Sequence, residues 1–293
     1  DEGAFYNSIT GLTDNNWKFT IERAPISTSA IQITPYSGTY DGAPHAAISS
    51  VTGCPDGCTI KYSIDGINWK DDCPTVKSVA DAANTSVYIQ ISKENYTPWT
   101  SKPQNATISP KGISDSDIQI TPYSGIYDGS HHKVISSVTG CPDGCTIKYS
   151  IDGINWKDDC PTVKSVADAA NTSVYIQISK ENYTPWTSKP QNATISPKGI
   201  SDSDIQITPY SGIYDGSHHK VISSVTGCPD GCTIKYSIDG TNWKADCPTV
   251  ESVAAAANTS VYIQISKENY TTWTSGPQNA TISPKGITIN ITN

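Results

Sequence analysis

Three cysteines recur at one place in the chain, three times over: Cys54, Cys58 and Cys73; Cys141, Cys145 and Cys160; Cys228, Cys232 and Cys247. Thiols grouped in this way can close a disulfide, hold a metal, run redox chemistry or join another chain. Each set lies in a copy of GCPDGCTIKYSIDGINWKDDC, first seen at residues 53–73. If Asp65-Gly66 makes a two-residue hairpin turn, as that dipeptide prefers, Tyr62 falls opposite Trp69 and Cys58 opposite Cys73. Opposed residues on antiparallel strands sit about 4.5–5.5 Å apart at Cα, a span that a disulfide bridges.

That register predicts the bonds Cys58–Cys73, Cys145–Cys160 and Cys232–Cys247, each closing a loop of about 15 residues for roughly 3 kcal/mol. It leaves Cys54, Cys141 and Cys228 as free or interchain thiols. A bulge or a three-residue turn would slip the register and bring Cys54–Cys73 or Cys54–Cys58 into reach. A closed zinc site takes four ligands, and three cysteines without a partner histidine do not supply them. No metal is expected. No Cys-x-x-Cys pair is present to activate a thiol for redox work.

Other residues invite chemistry less strongly. His131-His132 and His218-His219 are adjacent, and neighbours on a strand face opposite ways, so they do not chelate together; the first copy has Pro44-His45 there. The SDSD segments at 114–117 and 201–204 offer carboxylates suited to calcium, but the counterpart at 27–30 is STSA, which favours a solvated linker. Trp99, Trp186 and Trp273, near Tyr96, Tyr183 and Tyr270, are candidate stacking residues for a glycan, although aromatics near strand ends more often pack a core. Lys61 and Lys93 are candidates for an isopeptide crosslink, which would need a buried lysine beside an acid. No nucleophile elbow, zinc-protease helix or phosphate loop occurs, and Asp71-Asp72 becomes Ala245-Asp246 in the third copy. The chain reads as no enzyme and as needing no cofactor.

The elements that must carry these residues repeat as well. IQITPYSG begins at Ile31, Ile118 and Ile205, a period of 87 residues. That is too long for a solenoid unit of about 20–50 residues and suits a small β-sandwich of roughly 100. Within one copy, strand-like runs alternate with turn signals: IQITPY, AAISSV, TIKYSI, INWK, TVKSV, SVYIQIS and NATISP. ADAAN reads as a turn, and no segment keeps a helical period. Two Phe and no Met stand against sixteen Tyr and seven Trp in 293 residues, a bias toward β-structure.

The boundaries expected from the period are 26–112, 113–199 and 200–286. Residues 1–25 read as the closing strands of a preceding, divergent repeat, because KFTIERAPIS aligns with NATISPKGIS. Residues 287–293 read as a tail or the start of a next unit, so the chain reads as cut from a longer array. A net charge of -8 argues against nucleic acid, which needs a basic face. No apolar run reaches the length of a membrane span, and no signal peptide is visible. Nine cysteines suit an exported protein with disulfides.

Tyr40-Asp41-Gly42, then Tyr62-Ser63 with Asp65-Gly66 and Trp69, then Val87-Tyr88-Ile89 resemble the YDG/MBG-type Ig-like tandem repeats of Gram-positive bacterial surface proteins. The likeness spans essentially residues 26–286, but the cysteines depart from it. It implies all-β, tandem Ig-like β-sandwich domains in an extended rod, serving as a stalk or spacer at the extracellular cell surface. The alternatives are an adhesin that engages host protein or glycan ligands through repeated faces, and a fibre subunit with homotypic contacts. None involves nucleic acid or membrane insertion.

Overall fold

Alternation of apolar and polar side chains makes SVYIQIS the central strand of each copy. The structure, a computed structural model, describes residues 20–289. In the strand Ser86–Ser92 the side chains of Val87, Ile89 and Ile91 are fully buried, and the residues between them are only partly covered. A period of two with one buried face is what a half-covered strand requires.

Thr59–Ser63 pairs antiparallel along one edge of this strand. Along the other edge lie Trp99–Thr100 and Gln104–Asn105, also antiparallel. Buried Ser101 bridges the break between these two pieces: its amide donates to the Ile89 carbonyl at 2.9 Å, and its hydroxyl accepts the Ile89 N–H at 3.0 Å. The facing layer consists of short pairs. Gln32–Pro35 runs antiparallel to Ile48–Thr52 with a bulge before Pro35, His45–Ala46 pairs antiparallel with Thr75–Val76, and Ser37–Thr39 lies parallel to Thr107–Ser109. Ala47, Ile48, Val76 and Ile108 fill the space between the layers from this side. The result is an all-β sandwich that recurs at about 87 residues, with separate cores around Ile89, Ile176 and Ile263.

The chain divides into two compact units, one formed by Asp1–Gly112 with Glu181–Thr184, the other by Ile113–Lys180 with Pro185–Asn293. Unit 1 holds the first core and unit 2 holds the second and third. The turn at 181–184, which by sequence belongs to the second copy, thus counts with unit 1. Residues 1–19 and 290–293, parts of the two expected end segments, lie outside the described residues. Ala24–Pro25 lies within them and runs parallel to Tyr96–Thr97.

The local expectations need three corrections. ADAAN is no simple turn: Val79–Asn84 is a six-residue helix. The Ser78 hydroxyl accepts the Asp81 N–H while the Asp81 carboxylate accepts from the Ser78 amide, a reciprocal cap. INWK forms no strand; only Lys70 bridges back, to Tyr62. TVKSV is reduced to Thr75–Val76. The same holds in the later copies, except that Ala255 replaces the capping acid and only the Ser252 hydroxyl remains.

Candidate functional site

The cysteine cluster is set by its flanking loops. Gly140 has φ of 79°, and a side chain there would run into the Asp117 carbonyl, so glycine is needed for the turn that presents Cys141. The Pro-Asp-Gly turn then returns the chain to Cys145, whose amide donates to the Pro142 carbonyl at 3.0 Å.

Cys141 and Cys145 form a disulfide across 6.4 Å between Cα atoms. In the first and third copies the same two positions, Cys54 with Cys58 and Cys228 with Cys232, are free thiols. Burial first, and then the neighbouring thiol, pushes Cys58 and Cys232 up to about 11. The expected Cys145–Cys160 bond is not formed, and neither are Cys58–Cys73 and Cys232–Cys247. Cys58, Cys73, Cys160, Cys232 and Cys247 are all free thiols, and Cys141, expected to be spare, is bonded.

The cause is a register slip. The Asp65 carboxylate accepts the Ile67 and Asn68 amides at 2.8 and 2.7 Å and the Ser63 hydroxyl at 2.7 Å. This knot widens the turn, so Tyr62 exchanges both backbone hydrogen bonds with Lys70 rather than facing Trp69. A slip of one residue reverses every side chain beyond it. Cys73, Cys160 and Cys247 consequently turn inward; Cys160 accepts the Ile135 amide at 3.4 Å and Cys247 the Ile222 amide at 3.4 Å. Burial pushes all three thiols up.

Above the inward thiol lies an open groove lined by Tyr62, Asp65, Asn68, Lys70, Asp72 and Cys73, of about 750 Å³, recurring at about 740 and 720 Å³ in the later copies. Its carboxylate at Asp65 is held well below the usual range by the amides and side chain that bond it, which fits a turn lock rather than a proton donor. Lys61 is within 3.5 Å of Asp71 and Lys93 lies over the Tyr96 ring. Among the described residues, no three His, Cys, Asp or Glu converge to hold a metal.

Sequence reasoning overlooked a second cluster. His132 stacks on Tyr123 with ring centres 4.1 Å apart, and its Nε2 lies 3.0 Å from the Asp128 carboxylate. Tyr36, Asp41 and His45 repeat this arrangement, as do Tyr210, Asp215 and His219. The hydrogen bond from histidine, and then a backbone amide, hold each aspartate below its ordinary pKa. The signal was present as Tyr-x-x-x-Tyr-Asp-Gly-x-x-His in every copy, hidden because only the second and third copies show a double histidine. His218, the other member of its pair, instead meets Glu251 at 2.9 Å.

The tryptophans are half-buried. The Trp186 and Trp273 indoles donate to Asp115 and Asp202 of the SDSD segments, so those acids serve their own repeat. Trp99 has Thr28 at the matching position, with no acid to receive its N–H.

The contacts with the widest consequence involve the Lys-Glu-Asn-Tyr turn. In unit 2, Asn269 has φ of 65°, and its side-chain oxygen accepts the Val166 N–H at 2.8 Å, at the start of the helix Val166–Asn171. Tyr270 stands edge-on to Tyr127 at 5.8 Å. Lys198 donates its amide to the Asn269 carbonyl at 2.9 Å and accepts the Thr271 amide at 2.9 Å. Unit 1 contains the same set: Asn182 on Val79 at 2.8 Å, Tyr183 edge-on to Tyr40 at 5.9 Å, and Lys111 paired with Asn182 and Thr184.

No family model matches the chain, and no curated protein does. Among solved structures, it is similar to a Ca2+-stabilized adhesin that helps an Antarctic bacterium reach out and bind ice, with 13% identity over 91% of this chain and 76% of that one at a TM-score of 0.33. It is also similar to the ectodomain of mouse nectin-like molecule 4, at 9% identity, 88% and 100% coverage and a TM-score of 0.28. A third is Drosophila N-cadherin EC1-4, at 10% identity, 86% and 73% coverage and a TM-score of 0.25.

Proposed function

We propose that the chain is a spacer segment of an extracellular, bacterial surface protein, in which tandem sandwiches, bounded at 26–112, 113–199 and 200–286, hold another module at a distance. The junction within unit 2 carries this reading. A repeat that acted alone as a binding module would need no built contact with its neighbour. Here Asn269, Tyr270 and Lys198 spend two backbone bonds, one side-chain bond and an aromatic pair on that contact. The Cys141–Cys145 bond supports an oxidising compartment. No described helix is long and apolar enough to cross a membrane.

The test has two arms. Spin labels on Ser124 and Ser211, one in each repeat of unit 2, should give a single narrow distance distribution; a broad one would mean that the junction does not fix its repeats. A glycan array should be silent. Strong binding to one sugar family, lost when Trp99, Trp186 and Trp273 are replaced together, would sink the spacer reading and favour an adhesin.

A further inference from the structure

The second copy holds a disulfide and a spare thiol in the same sandwich. Cys141 and Cys145 are bonded, and Cys160 is buried and free. All three pack in or against the core around Ile176. The register of the hairpin between them decides the pairing. Tyr149 and Lys157 exchange both backbone bonds, at 2.8 and 2.9 Å. A two-residue Asp152-Gly153 turn would shift that register by one residue and turn Cys160 over. Cys160 would then fall opposite Cys145, at the Cα spacing that a disulfide spans.

One carboxylate holds the observed register. Asp152 accepts the Ile154 and Asn155 amides, each at 2.8 Å, the Asn155 side-chain amide at 2.6 Å and the Ser150 hydroxyl at 2.7 Å. Apolar burial adds little at the tip, because Ile151 and Ile154 are 65% and 78% exposed. Register is weakly specified where no face is buried. Beyond Lys157, residues 158–160 form no strand. The open groove of about 740 Å³, lined by Asp152, Lys157 and Cys160, leaves that segment room to turn. The move gives up the Tyr149–Lys157 exchange and the bond from the Ile135 amide to Cys160.

We propose that this hairpin is a two-register element latched by thiol–disulfide exchange within the repeat. When the turn loosens, the Cys160 thiolate attacks the Cys145 sulfur. The Cys141–Cys145 bond breaks as Cys145–Cys160 forms, and Cys141 leaves as a thiolate that takes up the proton Cys160 released. One disulfide and one thiol stand on each side, so no oxidant or reductant is consumed. While the observed register holds, burial keeps Cys160 protonated and unreactive. The new bond closes a loop of about 15 residues in place of one of about 5, which restricts the unfolded chain more. A repeat loosened at its tip is thereby stapled at the base of the hairpin. The other copies carry the same parts, as Cys54, Cys58, Asp65 and Cys73 and as Cys228, Cys232, Asp239 and Cys247. The inference rests on the hairpin and its thiols and stands apart from the spacer reading.

Asp152→Ala in the full chain removes the carboxylate, and Asp152→Asn keeps its size with a weaker acceptor. Protein holding the Cys141–Cys145 bond is incubated at about pH 9 without oxidant, so that thiolate forms, then quenched in acid and digested without reduction. One such hydrogen bond shifts an equilibrium about tenfold, so the Cys145–Cys160 peptide should exceed its wild-type level by at least that factor. The alkylatable thiol should move from Cys160 to Cys141, and the pairings of the first and third copies should stay unchanged.

Retention of Cys141–Cys145 in both variants overturns the inference. Hydrogen exchange at Val174, Ile176 and Ile178 then says why. If that strand stays protected, the register is fixed elsewhere. If it opens, the repeat has no second folded register, since an unfolded chain closes the short loop more readily. Equal amounts of the Cys145–Cys160 peptide in wild type and variants also overturn it, because Asp152 would then not hold the register.

Discussion

A thiol at the Cys73 position is half-buried, and burial favours its protonated form. Its neighbours at Cys54 and Cys58 are far better placed to react with each other, because they occupy the positions that are bonded as Cys141–Cys145 in the second copy and the loop between them is short. Closing so small a loop contributes about 2 kcal/mol. A non-reduced digest read by mass spectrometry should therefore yield Cys54–Cys58, Cys141–Cys145 and Cys228–Cys232. Cys73, Cys160 and Cys247 should stay unpaired, with the half-buried Cys73 taking up alkylating reagent faster than the buried Cys160 and Cys247; recovery of a Cys58–Cys73 peptide would return the hairpin to its simpler register. The residue types announced sulfur chemistry, and the spacing left three pairings open: Cys58–Cys73, Cys54–Cys73 and Cys54–Cys58. What decided between them was the Asp65 carboxylate gathering amides from Ile67 and Asn68, a side-chain knot that turn propensities alone do not encode. The Tyr36–His45–Asp41 stack went unread for a related reason. Its members lie within ten residues, and it is the fold-back of the chain, with the Tyr36 amide donating to the Ala47 carbonyl at 2.9 Å, that sets the rings together.

At the scale of elements, long alternating runs were legible and short ones were not. SVYIQIS could hardly be anything but a strand with one buried face, and IQITP follows the same logic. TVKSVADAAN misleads because its alternation stops after Val76, where a Ser-x-x-Asp cap takes over. That signature was present in the sequence and outweighs the lack of a helical period in so brief a helix. Its natural variation offers a test. The helix Val253–Asn258 has Ala255 where Asp81 and Asp168 cap the others. Ala255→Asp should restore the reciprocal bond and place an acid in the first turn, stabilising the third repeat by about 0.5 kcal/mol. That corresponds to roughly 2–4 °C in its thermal transition, measurable by calorimetry. The reverse change, Asp168→Ala, should lower the second repeat by a similar amount; no change in either direction would mean that packing, not capping, holds the helix.

Across the whole molecule the three cores follow from periodicity, but the contacts that join one repeat to the next do not. A Lys-Glu-Asn-Tyr turn looks like any polar loop until its asparagine is found at φ of 65° with the side chain on another helix's first amide. The contact joins residues 103 apart, farther than one period, so no scan within a single repeat would have found it. Its energetic weight can be measured with internal controls. Asn269→Gly retains the backbone conformation and deletes the oxygen that receives the Val166 N–H. A hydrogen bond of this kind contributes about 1 kcal/mol, so the Val166 amide should exchange roughly fivefold faster through local opening. Val79, which bonds Asn182, and Val253, which has no such partner among the described residues, should not change. Equal exchange at Val166 before and after the substitution would mean that its own repeat supplies the protection, and the junction would lose its place as the structural basis of the spacer.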